Sequence, residues 1–468
     1  MPRFLATLAL AVAPLLGHTA APDGAAWLRH ATDDLLPYWR QPAALGSPVG
    51  RFPTFRCIDG RAYVAAEPCK ELARAPAWIQ SELGREYVRM QSRQTFAYAV
   101  GFHLTGDPAL LAAAKAGSAD IRARALDRTT GSAATYYERD GSPQPPVGER
   151  TAQDLAYAAL AMAAVYDLTR DPATLNDLDR LHRHLMTHFD ADRGEMRWTL
   201  TGPDAGKREL VAQLDPLNAY MVLVTPLLDG ERRTRWLADI GRLVGAIRTH
   251  YCAGEQPRCR GTLDAGGEAP GARHNDYGHS GKAYWMVLLA ARMRGDADTA
   301  EWARAKARAV LAEAFQEDTG AWASRWTADG QDTSQQWWIS AELDQLASTL
   351  ALDDRRYLGY LERTGPYWLT HFVDRDHGEV YGWLSPSGEP GDALKQHQWK
   401  NGYHSLEHAL IGYLTAQALA KQPATLYYAL PKGTKARLAP YVFPGRERGR
   451  EVVKGGVLKV TFDVGPQP

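Results

Sequence analysis

From Ala25 onward the chain repeats one pattern: apolar residues three and four apart, interrupted by short polar turns. That spacing marks helices with a buried face. AAWLRHATDDLLPYW predicts a first helix that stops before Pro42, and SELGREYVRMQSRQTFAYAVGFHL predicts a second. DPALLAAAKAGSADIRARAL predicts a third, with Asp107-Pro108 as its start signal. RTAQDLAYAALAMAAVYDLT and DPATLNDLDRLHRHLMTHF follow, then PLNAYMVLVTPLL with GERRTRWLADIGRLVGAIRTHY, and GKAYWMVLLAARMRG with DADTAEWARAKARAVLAEAF. The last segments are QQWWISAELDQLASTLAL, DDRRYLGYLERTGPYWLTHFV and NGYHSLEHALIGYLTAQAL.

These twelve segments pair mostly as hairpins through turns of the GDP or GDAD type. Six helical hairpins describe an all-α fold, an (α/α)6 barrel. Between the hairpins, GEMRWTLT, GAWASRWTADG and GEVYGWLSPSGEP have strand or turn character and predict short β-hairpin loops on one rim. LYYALPKGTKARLAPYVF and GGVLKVTFDV predict an extended C-terminal tail. No stretch rich in Pro, Gly or Ser divides the chain, and stacked hairpins cannot bury their apolar faces alone. The expected organisation is one barrel domain over residues 22–422, with residues 423–468 packed on it.

The first 21 residues break the pattern. Arg3, the apolar run FLATLALAVAPLL and the small residues of GHTAAP predict a secretory signal peptide, cleaved near Thr19 to Ala21. No later run is long and apolar enough to span a membrane, so an exported mature protein with no membrane segment is expected, periplasmic or secreted. Four cysteines fall as two local pairs, Cys57/Cys69 and Cys252/Cys259. An even count in an exported chain favours disulfides; local closure is the simplest connectivity, and a zinc site is the rival.

Charge excludes a partner class. Lys plus Arg and Asp plus Glu both number 54, so no net field favours nucleic acid or an anionic membrane. Nothing in the pattern sets an oligomeric state. The 14 Trp and 21 Tyr cluster in polar motifs such as QQWWISAE and HQWKNGYH, which suits a mono- or oligosaccharide: flat rings stack on sugar faces beside groups for the hydroxyls. No strand–GxGxxG–helix unit or phosphate loop is present, and no cofactor or metal is expected.

Three loop-to-helix junctions combine His, Trp and charge: HNDYGHSGKAYW with His279, QQWWISAELDQ with Trp337, Trp338 and Glu342, and QWKNGYHSLEH with Trp399 and His404. In an (α/α)6 barrel the inner helices begin at one rim, so these junctions converge. Arg89 and Arg93 add an i, i+4 pair on one helix face. Trp337 and Trp338, about 100° apart on a helix, are not expected to share a pocket.

At these residues the chain resembles the N-acylglucosamine 2-epimerase family, which includes cellobiose 2-epimerases and aldose–ketose isomerases. DLLPYW, CIDGR, QSRQTFAYA, DYGHSGKAYW, QWWISAE and WKNGYH are similar to that family's segments, in order over most of the chain. The resemblance implies an (α/α)6 barrel and proton transfer at C2 of a ring-opened sugar. His279 and His404 match the acid–base pair and Arg93 the arginine that holds the developing oxyanion. Trp338 and Trp399 match sugar-facing walls. Lys282, Asp215, Asn218, Tyr277, Glu342 and Tyr403 complete the expected substrate site. Lys282 stands where many members carry Glu, and Asp215 where many carry His. Lys282 is therefore expected to pair with Asp215 or with an acidic sugar.

Other readings compete. A glycan hydrolase or uronate lyase on the same barrel would draw on Glu342, Glu407, Asp215 and Asp276, two of them facing across the pocket at roughly 5–10 Å. A non-catalytic carbohydrate-binding protein is the third reading. The string His404-Glu407-His408 has the H-x-x-E-H spacing of a zinc site but no well-placed downstream acid. His182, His184 and His188 are expected on a solvated helix face.

Overall fold

The computed structural model describes residues 20–466. The proposed signal peptide, apart from its last residues, lies outside them. Among the described residues, twelve long helices alternate between an outer and an inner ring. The outer helices are α1 (24–39), α3 (108–125), α5 (172–188), α7 (230–251), α9 (Ala297–Ala314) and α11 (355–372). The inner ones are α2 (Val88–Thr105), α4 (Ala152–Thr169), α6 (210–227), α8 (Tyr277–Arg294), α10 (Trp337–Ala351) and α12 (Tyr403–Leu419). Each inner helix packs on the next, and α12 closes the ring against α2 while also meeting α1.

Burial sorts the two rings. Every residue of α4 is buried, and its alanines let neighbouring helices approach closely. A helix covered on all sides has no polar face to show, whereas outer α5 buries Leu175, Leu178, Leu181 and Leu185 along one stripe. The His182–His188 segment corrects its expectation. His182 is buried, stacked on Trp236 at 4.3 Å, and its nitrogens meet the Tyr220 hydroxyl at 2.8 Å and Asp239 at 3.1 Å. His188 is also fully buried.

The inner-to-outer connections are tight. Gly106 takes the left-handed conformation that ends α2, Asp107 caps α3 through Ala109 N–H, and Pro108 occupies the first turn. The outer-to-inner connections are long and carry the predicted hairpins, including Phe189–Asp190 with Glu195–Met196 and Arg325–Thr327 with Gly330–Asp332. These loops stand on the rim where the inner helices begin.

The excursion between α1 and α2 has its own small core of Phe55, Leu72, Ile79 and Leu394. Cys57 pairs with Cys69 inside it, and Cys252 pairs with Cys259 after α7, both as local disulfides. At the other end of the barrel the C-terminal strands Ala424–Tyr428, Leu458–Val464 and Gly445–Val452 form an antiparallel sheet in that spatial order. Tyr427 C=O lies 3.0 Å from His103 Nδ1 near the end of α2, and Ala429 N–H donates to Leu168 C=O near the end of α4. No helix of the described residues is long and apolar enough to cross a membrane.

Candidate active site

The first turns of the inner helices surround a cavity of about 200 Å³, lined by Arg93, Gln153, Tyr157, Asp215, His274, His279, Lys282, Trp337, Trp338, Trp399 and His404. Side chains on a helix lean toward its N-terminus, so residues in or near the first turns project over the rim where the six helices begin. The same lean places both Trp337 and Trp338 on the cavity, against the expectation that only one would face it. They are the first two residues of α10, and their angular separation spreads them over adjacent walls.

His279 is set by Asp276. One carboxylate oxygen accepts the His279 backbone N–H at 2.7 Å and caps α8, and the other meets Nδ1 at 2.7 Å. With Nδ1 donating to a carboxylate, Nε2 is the nitrogen left to exchange a proton. Trp338 stands beside the imidazole at 4.7 Å between ring centres, and His274 on its other side also at 4.7 Å. His274 is held by Glu209 at 3.2 Å.

His404 is buried opposite a different environment. Burial, then the charges of Arg93, Lys282, His279 and Lys400, push its pKa well below the usual value. It is therefore a neutral imidazole near pH 7. Its Nδ1 lies 3.5 Å from Glu342 Oε1, and Glu342 Oε2 accepts the Trp285 indole N–H at 2.8 Å. Burial raises the Glu342 pKa.

Arg93 lies over the Tyr157 ring at 4.0 Å and donates to the Trp399 carbonyl at 3.1 Å. Among the described residues no carboxylate forms an ion pair with it, and its Nε has no partner. Arg89, one turn earlier, is the paired arginine, 2.7 Å from Asp154. Lys282 donates to Asp215 at 2.7 Å, and Gln153 donates to the other Asp215 oxygen at 2.7 Å. Burial opposes both charges, but each stabilises its partner: the carboxyl is held below its usual range and the ammonium above.

The remaining expected residues divide by depth. Asn218 donates to the Tyr403 hydroxyl at 3.0 Å, and both lie buried behind the lining residues, as does Glu342. Tyr277 corrects its expectation. Its hydroxyl donates to Glu313 on α9 at 2.8 Å and accepts from Gln331 at 3.0 Å, so it serves the inner–outer helix contact rather than the cavity. The direction follows from position: two residues before His279, it emerges on the opposite side of α8. Gln153 and Tyr157 line the cavity but carry no motif, and His274 opens the HNDYGHSGKAYW motif without having been singled out. For Gln153 and Tyr157 the usable signal was position in the first turns of an inner helix.

The H-x-x-E-H string does not gather. His408 Nε2 meets Asp344 Oδ2 at 2.8 Å, with its ring edge-on to Trp27 and Trp368, away from the cavity His404 lines. Among the described residues, the one His/Cys/Asp/Glu cluster at metal spacing is Cys57, Cys69 and Glu71, and its two sulfurs are joined to each other.

Asp276→Asn separates two roles of one side chain. Asn caps a helix about as well as Asp, so stability should change by no more than a few tenths of a kcal/mol. The Nδ1 partner loses its charge, so turnover should fall while the melting temperature holds, checked by steady-state kinetics beside thermal unfolding.

The inner-helix starts thus gather indoles, two histidines and a guanidinium without an ion-pair partner around one cavity of a helical barrel. The sequence profile of N-acylglucosamine 2-epimerase (GlcNAc 2-epimerase) matches residues 71–408, and the chain belongs to that family of epimerases and isomerases. Among solved structures, the cellobiose 2-epimerase from Bacillus thermoamylovorans B4167 superposes with a TM-score of 0.68 at 15% identity, over 83% of this chain and 98% of that one. The cellobiose 2-epimerase from Spirochaeta thermophila DSM 6192 gives 0.68 at 19% identity, over 85% and 97%. A D-mannose isomerase gives 0.66 at 16% identity, over 83% and 96%. Comparison with curated proteins gave no match. The resemblance read from six short motifs is borne out at the level of family and fold.

Proposed function

We propose that the protein interconverts reducing sugars by moving the proton at C2, as a 2-epimerase or aldose–ketose isomerase. The observation that carries this reading is one cavity shared by two histidines with different partners: His404, kept neutral by burial and positive neighbours, and His279, fixed through Nδ1 by Asp276. In this reading the open-chain sugar presents its C1 aldehyde to Arg93. His404 removes the C2 proton, and the C–H electrons move into the C1–C2 bond while O1 gains the charge that Arg93 offsets. A proton from His279 Nε2 to the other face of C2 gives the epimer. Return of the first proton from His404 to C1, with the O2 proton passing to O1, gives the ketose.

The acidic-sugar expectation rested on Lys282. Because Lys282 is neutralised by Asp215, a neutral sugar meets no unmatched charge except the guanidinium needed for the oxyanion. A neutral aldose or a short neutral oligosaccharide is thus the substrate class we favour. The hydrolase reading requires two facing carboxylates, and Asp215 is the single acid among the residues lining the cavity. Two disulfides suit export from the cytosol. The test is proton NMR of neutral aldoses and cellobiose-type disaccharides with the protein in heavy water. Deuterium at C2 together with an epimer or ketose is the expected result; unchanged sugars across the panel, or hydrolysis, would overturn the reading.

A further inference from the structure

His274 lines the cavity, yet the proposed proton transfers use His404 and His279 and leave it without a role. It stands in the loop before α8 with φ of 62°, a left-handed conformation uncommon outside glycine. Five non-glycine residues among the described ones have positive φ, and of these His274 alone lines the cavity. Backbone in such a conformation persists only where its surroundings hold it, and it concentrates at functional sites.

Here the surroundings are specific. Glu209, buried just before α6, takes Arg273 on one carboxylate oxygen and His274 Nδ1 on the other, the latter at 3.2 Å. Asn275, also buried, accepts Gly261 N–H at 2.7 Å and donates to the Gly267 and Ala269 carbonyls at 2.9 Å and 3.1 Å. Gly261 passes so close to Arg273 and His274 that a Cβ there would have no room. Burial opposes the Glu209 charge, but His274 and Arg273 hold its carboxyl below the usual range, so it accepts from Nδ1. Burial also lowers the His274 pKa, which keeps the ring neutral near pH 7 with a lone pair on Nε2. Among the described residues Nε2 has no protein hydrogen-bond partner. The ring centre lies 4.7 Å from that of His279, so an acceptor stands beside the residue proposed to serve C2.

We propose that His274 is a substrate-binding residue that sets sugar specificity: its Nε2 accepts the O–H of a sugar hydroxyl beyond C2, and Glu209 fixes the ring for that contact. This rests on the reading of the cavity as a sugar site and adds to it the side chain that reads a hydroxyl away from the reacting carbons. A hydroxyl in the wrong configuration, or one without a proton to give, leaves a buried acceptor unpaired and is selected against.

The test uses the full chain with D-glucose, D-mannose and their forms carrying fluorine in place of the hydroxyl at C3, C4 or C6. Fluorine keeps the size of the group but has no proton to donate. In the wild type one of these analogues should lose about 10- to 100-fold in kcat/KM relative to its parent sugar. His274→Phe keeps a ring against His279, and His274→Asn suits the left-handed backbone. Each should lower kcat/KM for the parent sugar by about the same factor, chiefly through KM, and treat that analogue and its parent alike within about twofold. A uniform loss on every sugar with the discrimination retained would mean packing against His279 alone and overturns the proposal. So do variants that match the wild type. If the wild type converts no sugar, the functional reading fails, and dissociation constants of the same panel by calorimetry decide the role of His274. The same analogue should then bind more weakly to the wild type and no differently from its parent to His274→Asn; identical constants for the two proteins, or no binding of any sugar, overturn the proposal.

Discussion

Replacing His404 with Asn, or His279 with Asn, is expected to abolish net sugar conversion, each with a loss of roughly 10²–10⁴-fold in kcat. The two losses should differ in kind. The variant that retains the base still exchanges the C2 proton with heavy water but delivers no proton to the opposite face. With His404 assigned as base, exchange without conversion is the expected signature of His279→Asn, and His404→Asn should show neither. The pH dependence follows from the direction of the His404 shift. A base whose pKa lies below 6.5 stays deprotonated through the neutral range, so the acid limb of kcat/KM should fall below pH 6.5. Near-normal turnover by both variants, or an acid limb above pH 7, would refute the assignment.

The largest stability effect is expected at Lys282. Lys282→Met leaves the Asp215 carboxylate buried without its cation, and breaking one side of a buried ion pair costs about 3–5 kcal/mol. Lys282→Met/Asp215→Leu should recover most of that loss, because removing both charges also removes both desolvation penalties. Denaturant unfolding of the single and double variants measures this directly; equal destabilisation by both would show that the charge pair is not the cause. The pH window can be worked out from the shifts. Asp215 is depressed, so its contribution is present above the unfolded carboxyl range and is lost as acid drives pH through the lowered folded value. Lys282 is raised, so its contribution is present below the unfolded lysine range and is lost only as pH rises through the higher folded value. The pair therefore contributes across the whole neutral range.

The fold was legible because the inner and outer helices each repeat a simple pattern. The GDP-type turns fix hairpin boundaries through a left-handed Gly, a capping Asp and a first-turn Pro, three local signals that need no tertiary information. The strand Gly445–Val452 was not legible. Its sequence GRERGREV reads as charged coil, but as an edge strand it needs charge on its exposed positions and draws order from the neighbouring Leu458–Val464. His182 was misread for a related reason. A histidine among Arg and Asp residues looks solvated until Trp236 and Asp239 arrive from α7, the next outer helix.

In the site, the residues that a motif placed at or just before the start of an inner helix, Arg93, His279, Lys282, Trp338, Trp399 and His404, all line the cavity. Tyr277 shares its motif with His279 yet points to α9, since a motif fixes the helix and not the side of it. Asp276 was visible only as one more acid. Its double use, capping the backbone and orienting the ring, depends on the turn before α8 and is not encoded in the residue type.

The lining residues come from the first turns of the inner helices and the loops just before them, and the terminal sheet docks at the helices' other ends, so the cavity lies at the rim that carries the long loops. On the proposed reading, substrate and product come and go by that rim. The proposed chemistry needs an aldehyde, which in a chain of sugars exists only at the reducing end. It therefore carries a polarity of approach: the reducing unit goes in first, and the rest of the chain trails past the exposed Trp399 toward solvent.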